Sequence, residues 1–415
     1  MIRKFLLFSS ITTISRMLTG IFIVFILARI LSLKDFGIYM YGVVVANIIT
    51  MLVEYGYNTL LVKELAQRKD VHNYVIFTTL IKISIFIFSI IILFLYLKLN
   101  NFTIREIYVI LFITFAVVLN SFIVHFMIPF KIIDRFDIES KFALINNLTT
   151  FIVVFTVVYL SKNLLLISLS FFLIKLINVC IVFIVYLKNF ATKIFFKFKI
   201  LKELKKATPY ALMTLIGGLY MSADTLIIKH FLDMKSVGIY RGGINIILAA
   251  TFIITIVNNV ALPQLSKNLK NIIVFKYIAS KYNFFVFLFS IIIGLVVFCF
   301  DKLIISILYG EKFFVLTKYI YLIVGIVILK YIENMYGIIL SISDKQIIRV
   351  IGVGFSLIVV LILDYITIPK FGIVIAYINL FLGHILLLII YTIFIYKNYK
   401  SLLFYDFLKG KLKRY

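Results

Sequence analysis

The chain has 415 residues, 64% of them hydrophobic, and a mean hydropathy of +1.15, far above the values of soluble domains. This composition excludes a soluble globular protein and predicts a polytopic helical membrane protein. The formal net charge is +26, but the lysines and arginines lie mostly in short gaps between apolar runs, which excludes nucleic acid as the partner. Two cysteines and four histidines, in no ligand-spaced cluster, predict neither a disulfide framework nor a metal site.

Twelve apolar runs are long enough for a membrane helix, at about 20 residues per crossing. In chain order the predicted spans cover residues 5–30, 37–60, 74–97, 107–128, 142–160, 164–187, 208–231, 237–262, 282–300, 318–341, 346–368 and 371–396. The first run is too long for a signal-peptide core and is predicted to be retained. The gaps on the side of both termini carry most of the lysine and arginine, so the positive-inside rule predicts cytoplasmic termini.

A short motif occurs twice in the chain. Leu31–Tyr39 reads LSLKDFGIY, and Leu232–Tyr240, 201 positions later, reads LDMKSVGIY, with five of nine positions identical. Gly42 and Gly243 extend the match at the same offset. Because six apolar runs separate the copies, both copies lie on the same side of the membrane. The two halves are therefore predicted to share one orientation, related by a pseudo-two-fold axis along the membrane normal, as in many alternating-access transporters.

The basic stretch between the sixth and seventh spans is the predicted boundary between the halves. We predict an N-terminal six-helix lobe over residues 1–200 with a cytoplasmic linker at 188–207, a C-terminal six-helix lobe over 201–396, and a basic cytoplasmic tail over 397–415. The linker and the tail are rich in lysine and are expected to face anionic lipid headgroups.

Charged side chains inside the predicted spans are candidate functional residues, because each costs about 2.5–3.5 kcal/mol at the centre of a membrane helix on insertion scales. The basic ones are Arg16, Lys82, Lys175, Arg241 and Lys330. The acidic ones are Glu54, Asp224, Glu333 and Asp364. Basic residues outnumber acidic ones, which favours an anionic substrate.

Arg16 is the strongest of these candidates, because it lies near the middle of the first span, far from either interface. Thr12, Arg16 and Thr19 recur at three- and four-residue spacing and share one helix face. A polar stripe on an apolar helix must face protein or water, so we predict that Arg16 faces a wet cavity. The alternative is a structural ion pair with Glu54 or Asp224.

Two readings stay open for several of the other charges. Glu54 and Asp224 can carry a coupling proton or form a fixed salt bridge. Arg241, at the outer end of the eighth span, can contact substrate or face lipid headgroups. Lys175, with Asn178 three residues later, can line a cavity or serve a structural role.

Lys82 and Lys330 are also candidate substrate-binding cations, and Glu333 is a candidate coupling carboxylate, but for these and the remaining charges a structural or solvated role competes. Lys330 and Glu333 have the spacing of a local ion pair within one helix. Lys82 is close enough to the cytoplasm to extend its ammonium group towards water. Asp364 lies near the outer end of its span and is expected to be solvated. His125 is expected to be buried and hydrogen-bonded rather than a proton relay.

Several segments resemble the polysaccharide exporter branch of the MOP superfamily, in order and spacing across the whole chain. They are Ala28-Arg-Ile-Leu31 with Phe36-Gly37-Ile-Tyr39, Tyr220-Met-Ser-Ala-Asp224-Thr-Leu-Ile-Ile228 with Val237-Gly238-Ile-Tyr240, Pro263-Gln-Leu-Ser266, Leu308-Tyr-Gly310-Glu-Lys-Phe313 and Ile368-Pro369-Lys-Phe-Gly372-Ile373. The resemblance is to O-antigen or capsule repeat-unit flippases (Wzx type), and it implies a MATE/MOP-like fold. We find no counterpart of the further basic residues that lipid II flippases carry on their first two helices.

The resemblance implies a transporter, not an enzyme. Its implied substrate is an undecaprenyl-diphosphate-linked oligosaccharide, moved across the bacterial plasma (inner) membrane for O-antigen, lipopolysaccharide or capsule synthesis. Family flippases use cationic residues on helices one and eight, where this chain has Arg16 and Arg241, and an aspartate on helix seven, where it has Asp224. No cofactor is implied beyond coupling to H⁺ or Na⁺. Implied partners are anionic lipids and other polysaccharide-assembly proteins.

Elementary electrostatics agrees with this substrate, because a diphosphate cannot cross hydrocarbon without compensating charges, and arginine presents a planar fork suited to phosphate. Two rivals remain. A MATE-type cation-coupled exporter of small molecules shares the fold, but its cavity should be acidic. A membrane enzyme of polysaccharide assembly, such as a polymerase or ligase, needs catalytic groups on a sizeable outer loop, which this sequence lacks.

Overall fold

A computed structural model of the protein describes residues 2–65, 70–193, 199–343 and 345–399. Within these ranges all regular secondary structure is helical, in fifteen α-helices and one 3₁₀-helix. Eleven spans are long and apolar enough to cross a membrane, or twelve when one bent helix pair counts as a single span. The predicted all-α, multi-pass membrane fold is therefore confirmed.

The chain divides into two compact units, which we call the N-terminal unit (Met1–Gly218) and the C-terminal unit (Leu219–Tyr415). The helices that begin in the first are α1 (Ile2–Ile30), α2 (Leu33–Glu54), α3 (Tyr57–Leu65), α4 (Val71–Leu99), α5 (Ile104–Ile132), α6 (Phe136–Ser161), α7 (Leu164–Phe190) and α8 (Ile200–Tyr220). The second holds α9 (Ala223–Phe231), α10 (Met234–Asn268), α11 (Ile272–Cys299), α12 (Asp301–Leu308), the 3₁₀-helix Glu311–Tyr319, α13 (Ile320–Ile342), α14 (Gln346–Phe371) and α15 (Ile373–Tyr399).

The start of α8 packs on the N-terminal unit. Ala207 belongs to a buried apolar cluster with Tyr57 of α3 and Phe77 of α4. The Tyr74 hydroxyl donates a hydrogen bond to Glu203 Oε2 at 2.8 Å. The lobe boundary expected at residues 200 and 201 stays a prediction. Residues 194–198 of the predicted linker and 400–415 of the predicted tail lie outside the described residues.

The two copies of the repeated motif form the same local structure. Ser32 caps the N-terminus of α2, where its hydroxyl accepts a hydrogen bond from the Asp35 amide at 3.0 Å. Asp233, at the equivalent position, caps α10 by accepting from the Ser236 amide at 2.7 Å. Both side chains satisfy an amide that the first helical turn leaves unpaired. The repeat therefore marks a helix start in each unit.

The paired glycines of the repeat lie where helices approach closely. A Cβ atom on Gly42 would come within 2.9 Å of the Ile113 side chain on α5. A Cβ atom on Gly243 would clash with the Tyr377 hydroxyl on α15. That hydroxyl donates to the Tyr240 carbonyl oxygen at 2.8 Å. A side chain at Gly243 would displace this bonded hydroxyl, whereas a Cβ atom at Gly42 meets mainly the flexible end of Ile113.

Two spans predicted as continuous helices are broken. The span predicted over 37–60 is interrupted between α2 and α3, where Tyr55 and Gly56 have φ values of 42° and 71°. The span predicted over 208–231 bends by 48° between α8 and α9. Hydropathy does not register such breaks, because the residues at each break are as compatible with a membrane as their neighbours.

A substitution at Gly56 tests the break between α2 and α3. Its φ is in the left-handed region, and an added Cβ would come within 2.6 Å of the Ala211 backbone nitrogen. Gly56→Ala is expected to destabilise the protein by about 2–4 kcal/mol, because strain and a backbone clash add. The matched control is Gly217→Ala, where a Cβ meets nothing within 4 Å. Equal thermal unfolding midpoints for the two variants in one detergent would contradict the tight contact.

Candidate functional site

The N-terminal unit contains a polar cavity of about 140 Å³ between α1, α5 and α6. It is lined by Thr12, Thr13, Arg16, Asn120, Ile123, Val124, Met127, Lys131, Glu139, Ala143, Asn146 and Asn147. Two of these side chains are cationic and one is anionic. The cavity is therefore a small hydrophilic chamber inside an apolar helix bundle, with an excess of positive charge.

Arg16 lies on the wall of this cavity, as its position in the polar stripe of α1 predicts. More than a third of the residue is exposed, and no carboxylate oxygen of the described N-terminal unit lies within 4.0 Å of its guanidinium group. Glu54, the proposed partner in this unit, is half-buried on α2 and forms no such pair. The guanidinium group is thus open to the cavity.

The acidic group of the cavity is already neutralised. Glu139 Oε1 lies 3.1 Å from Lys131 Nζ, and the Glu139 side chain is only 8% exposed. This pair joins the end of α5 to the start of α6. With the pair cancelled, Arg16 supplies the uncompensated charge of the lining.

A cluster of amides forms the wall of the cavity that α5 and α6 provide. Asn146 Nδ2 donates to Asn120 Oδ1 at 3.1 Å, so one amide from each helix meets in the lining. Asn147 Nδ2 donates to the Ser15 hydroxyl at 2.9 Å, which ties α6 to α1 beside Arg16. These side chains were missed by the sequence analysis, because an isolated asparagine on an apolar helix carries no charge signal.

Lys175 lies behind this amide wall rather than in it. Its ammonium group donates to Asn120 Oδ1 at 3.1 Å and to Asn146 Oδ1 at 2.9 Å, and the residue is 5% exposed. Asn178, one turn further along α7, donates to Asn146 Oδ1 at 3.0 Å. No carboxylate of the described chain pairs with Lys175 within 4.0 Å. The amide oxygens therefore point towards Lys175, and this fixes their orientation.

Lys82 is held apart from the cavity. The residue is fully buried, its Nζ atom donates to the Ser121 carbonyl oxygen at 3.4 Å, and it lies 4.8 Å from the centroid of the Phe122 ring. The alternative in which Lys82 extends towards the cytoplasm is therefore wrong, and its candidate role in substrate binding stays a prediction. His125 lies on α5, one turn after Ser121. It is buried, and its Nε2 atom lies 3.1 Å from the Thr79 hydroxyl, which confirms the expectation of a buried, hydrogen-bonded histidine.

In the C-terminal unit Asp224 is buried and receives several hydrogen bonds. The Tyr240 hydroxyl donates to Oδ2, and the Thr225 amide donates to Oδ1 at 2.7 Å. Arg241, the residue after Tyr240 on α10, is 6% exposed and donates to the Met221 carbonyl oxygen at 3.2 Å. The reading of Arg241 as a headgroup-facing arginine is wrong, because the side chain is directed into the unit.

Glu333 pairs across helices rather than within its own helix. Both of its carboxylate oxygens lie 3.0 Å from His384 Nδ1 on α15. Lys330 Nζ instead lies 3.3 Å from the sulfur of Met221 and forms no ion pair with Glu333 within 4.0 Å. The expected local pair of Lys330 with Glu333 is therefore wrong. Asp224, Lys330 and His384 line a cavity of about 10 Å³, enough for about one water molecule.

The prediction for Asp364 is also wrong. It was expected to be solvated at the outer end of its span, but the residue is 0% exposed. Its Oδ1 atom accepts a hydrogen bond from Asn379 Nδ2 at 2.8 Å. The depth of a residue along a helix does not decide its exposure when a second helix covers that face.

Comparison with protein-family models gives a match over residues 1–269, about two thirds of the chain, to the family described as polysaccharide biosynthesis protein. The chain belongs to this family. Comparison with curated protein sequences gives no significant match. Membership places this multi-pass membrane protein in polysaccharide biosynthesis, and the site residues keep the roles that their geometry supports.

Solved structures share the fold along nearly the whole chain. The lipid II flippase MurJ, in an inward closed conformation, has a TM-score of 0.74 at 17% identity, covering 98% of this chain and 90% of its own. An inward-facing multidrug resistance MATE transporter of the MOP superfamily has a TM-score of 0.68 at 11% identity, with coverage of 93% and 94%. A MOP superfamily transporter from Pyrococcus furiosus, whose binding pocket is described as having reverse polarity, has a TM-score of 0.58 at 9% identity, with coverage of 96% and 95%. These similarities establish a MOP-type fold.

The pairing of Glu333 with His384 predicts the outcome of a double-mutant cycle. Substituting Glu333→Leu and His384→Leu, singly and together, is expected to give a coupling energy of about 0.5–3 kcal/mol, because the residues are in direct contact. The cycle between Glu333→Leu and Lys330→Met is expected to give a smaller coupling. The measurement is the unfolding free energy in a mild detergent. A larger coupling energy for the cycle with Lys330 would contradict His384 as the main partner of Glu333 and would favour the local ion pair with Lys330.

Proposed function

We propose that the protein is a flippase that moves a lipid-linked oligosaccharide across the membrane. The finer assignment is an O-antigen or capsule repeat unit on undecaprenyl diphosphate, carried across the bacterial plasma (inner) membrane, with both chain termini in the cytoplasm. Family membership and the MOP-type fold support this proposal. The observation that carries it is the open guanidinium group of Arg16 beside an amide wall with no free carboxylate.

The chemistry of the cavity suits an anionic headgroup that carries sugars. A guanidinium group can donate two parallel hydrogen bonds to a phosphate, and in a low-dielectric site this compensates part of the cost of taking phosphate out of water. Side-chain amides both donate and accept hydrogen bonds and can exchange partners with sugar hydroxyls. Lys175 adds positive charge behind the wall, at 2.9 Å from Asn146 Oδ1. Phosphate is therefore expected at Arg16, with sugar near Asn120 and Asn146.

Transport is proposed to proceed by alternating access of the two units, without a cofactor and with coupling to H⁺ or Na⁺. Asp224, Glu333 and Glu54 are the carboxylates available for coupling. Arg241 and Lys330 are proposed as further cations for the substrate, whereas the contacts of Lys82 and Lys175 favour supporting roles. Other proposed partners are anionic lipids and polysaccharide-assembly proteins.

The two rival functions find less support in the geometry. A cation exporter requires uncompensated negative charge, yet Glu139 in the cavity is paired with Lys131 at 3.1 Å. A polymerase or ligase requires catalytic groups on an outer loop. The longest outer gap of the predicted topology is filled by α12 and the 3₁₀-helix Glu311–Tyr319.

Arg16 provides the test of this function. Arg16→Ala, expressed in a flippase-null strain, is expected to lower surface polysaccharide about 10–100-fold, since a hydrogen bond to a charged group contributes about 1.5–3 kcal/mol. Arg16→Lys is expected to be intermediate, because it keeps the charge and loses the fork. The matched control is Arg135→Ala, whose exposed side chain pairs with exposed Asp137 outside the cavity. Full activity of Arg16→Ala at normal expression refutes the phosphate role.

A further inference from the structure

The C-terminal unit contains an apolar groove of about 300 Å³ between α10 and α11, with α13 as its floor. We call it the α10–α11 groove. It is lined by Ile253, Ile254, Val257, Tyr282, Phe285, Val286, Phe289, Tyr331 and Met335. Phe285 and Phe289 are 51% and 37% exposed and form its rim, whereas Tyr331 and Met335 in the floor are each 1% exposed.

The groove offers hydrocarbon surface and few free polar atoms. The Tyr331 hydroxyl donates to the Ala250 carbonyl oxygen at 2.7 Å. The Tyr282 hydroxyl donates to Gln264 Oε1 at 2.9 Å. Because both phenol hydroxyls already donate to the protein, the lining of the groove is almost wholly apolar. A ligand in the groove must therefore be a hydrocarbon chain rather than a polar headgroup.

Two exposed lysines, one on α10 and one on α11, lie along the chain near one end of the groove. The contact of Tyr282 with Gln264 closes the end nearest the turn between α10 and α11. Lys281 immediately precedes Tyr282, and Lys267 lies three residues after Gln264. From residue 234 to residue 300 the chain contains no aspartate or glutamate. Within the described residues neither Lys267 nor Lys281 has a carboxylate partner within 4.0 Å, so this end of the groove complements an anionic group.

We propose that the α10–α11 groove binds the proximal isoprene units of a polyprenyl lipid, whose phosphate lies at Lys267 and Lys281. This inference rests on the proposed function and names the element that holds the substrate's tail. A cavity of 150 Å³ lined by apolar side chains accepts benzene, so about 300 Å³ accommodates about two isoprene units. A short groove with β-branched and aromatic walls matches bulky, methyl-branched units better than a straight acyl chain. On the predicted topology the turn is cytoplasmic, where loading from the inner leaflet begins.

The absence of tryptophan from the chain allows a direct test. Phe289→Trp places a single fluorophore on the rim of the groove. Leu288→Trp, at the adjacent residue, which is 43% exposed and does not line the groove, is the matched control. Each variant is reconstituted as the full chain in vesicles of dibrominated phosphatidylcholine, whose bromine atoms quench tryptophan on contact.

Addition of undecaprenyl phosphate is expected to restore the Phe289→Trp fluorescence saturably, at a low mole fraction, and to leave Leu288→Trp unchanged. Equal recovery with unbrominated phosphatidylglycerol would identify a general acyl-lipid site and overturn the proposal. Unchanged fluorescence with the polyprenyl lipid would overturn it as well.

Two further variants separate the contributions of the tail and the phosphate. Val286→Phe, in the Phe289→Trp background, fills the groove and is expected to abolish the recovery. Lys267→Gln with Lys281→Gln leaves the groove intact and is expected to raise the half-saturating mole fraction about fivefold per lysine. This second variant keeps the test valid if Val286→Phe fails to fold. Unchanged half-saturation in the lysine variant contradicts the placement of the phosphate.

The groove assignment and the proposed transport function can be refuted independently of each other. If Arg16→Ala lowers surface polysaccharide but undecaprenyl phosphate leaves the groove fluorophore unchanged, only the groove assignment is wrong. If the groove binds the lipid while Arg16→Ala transports fully, the groove stands and the role of Arg16 in the proposed function is wrong.

Discussion

The N-terminal unit keeps more positive than negative charge inside its membrane spans, and its own carboxylates do not balance this excess. Lys175 is stabilised by two amide oxygens at 2.9 and 3.1 Å, and Lys82 by a carbonyl oxygen and an aromatic ring. Arg16 is left open to the cavity. Because a charge inside a membrane is costly unless it is compensated, a unit that leaves one uncompensated is suited to bind an anion. The amides that satisfy Lys175 are also the groups that line the cavity, so folding and binding depend on the same contacts.

In the C-terminal unit the buried carboxylates accept hydrogen bonds from neighbouring groups of the same unit. Asp224 is saturated by Tyr240 and Thr225, and Glu333 shares both oxygens with His384. These carboxylates are hydrogen-bonded inside the unit, beside a cavity of only about 10 Å³. Buried polar networks of this kind rigidify a bundle. The largest apolar concavity described above for this unit, the α10–α11 groove, lies apart from these charges.

The fold was predictable from the sequence to a large extent, because apolar runs, the repeat around Gly37 and Gly238, and the family resemblance all report on helix number and order. The depth of Arg16 and its polar stripe also placed it correctly beside a cavity. Partners across helices were not predictable. Lys330 and Glu333 have ideal spacing for a local ion pair. Because α13 packs on α15, however, Glu333 contacts His384 instead. Asp364 is covered by Asn379 of the next helix, which no periodicity in α14 reveals.

The central claim is that positive charge in the amide-walled cavity attracts the phosphate of the substrate. The most direct measurement is the affinity of the purified, reconstituted protein for undecaprenyl diphosphate, compared between the wild type and Asn120→Asp. This substitution keeps the size of the side chain and its contact with Lys175, and the added carboxylate cancels the positive charge that Lys175 supplies behind the cavity wall. The account predicts affinity lowered at least about tenfold, with an unchanged or higher unfolding temperature. Unchanged affinity in a folded Asn120→Asp protein would contradict it.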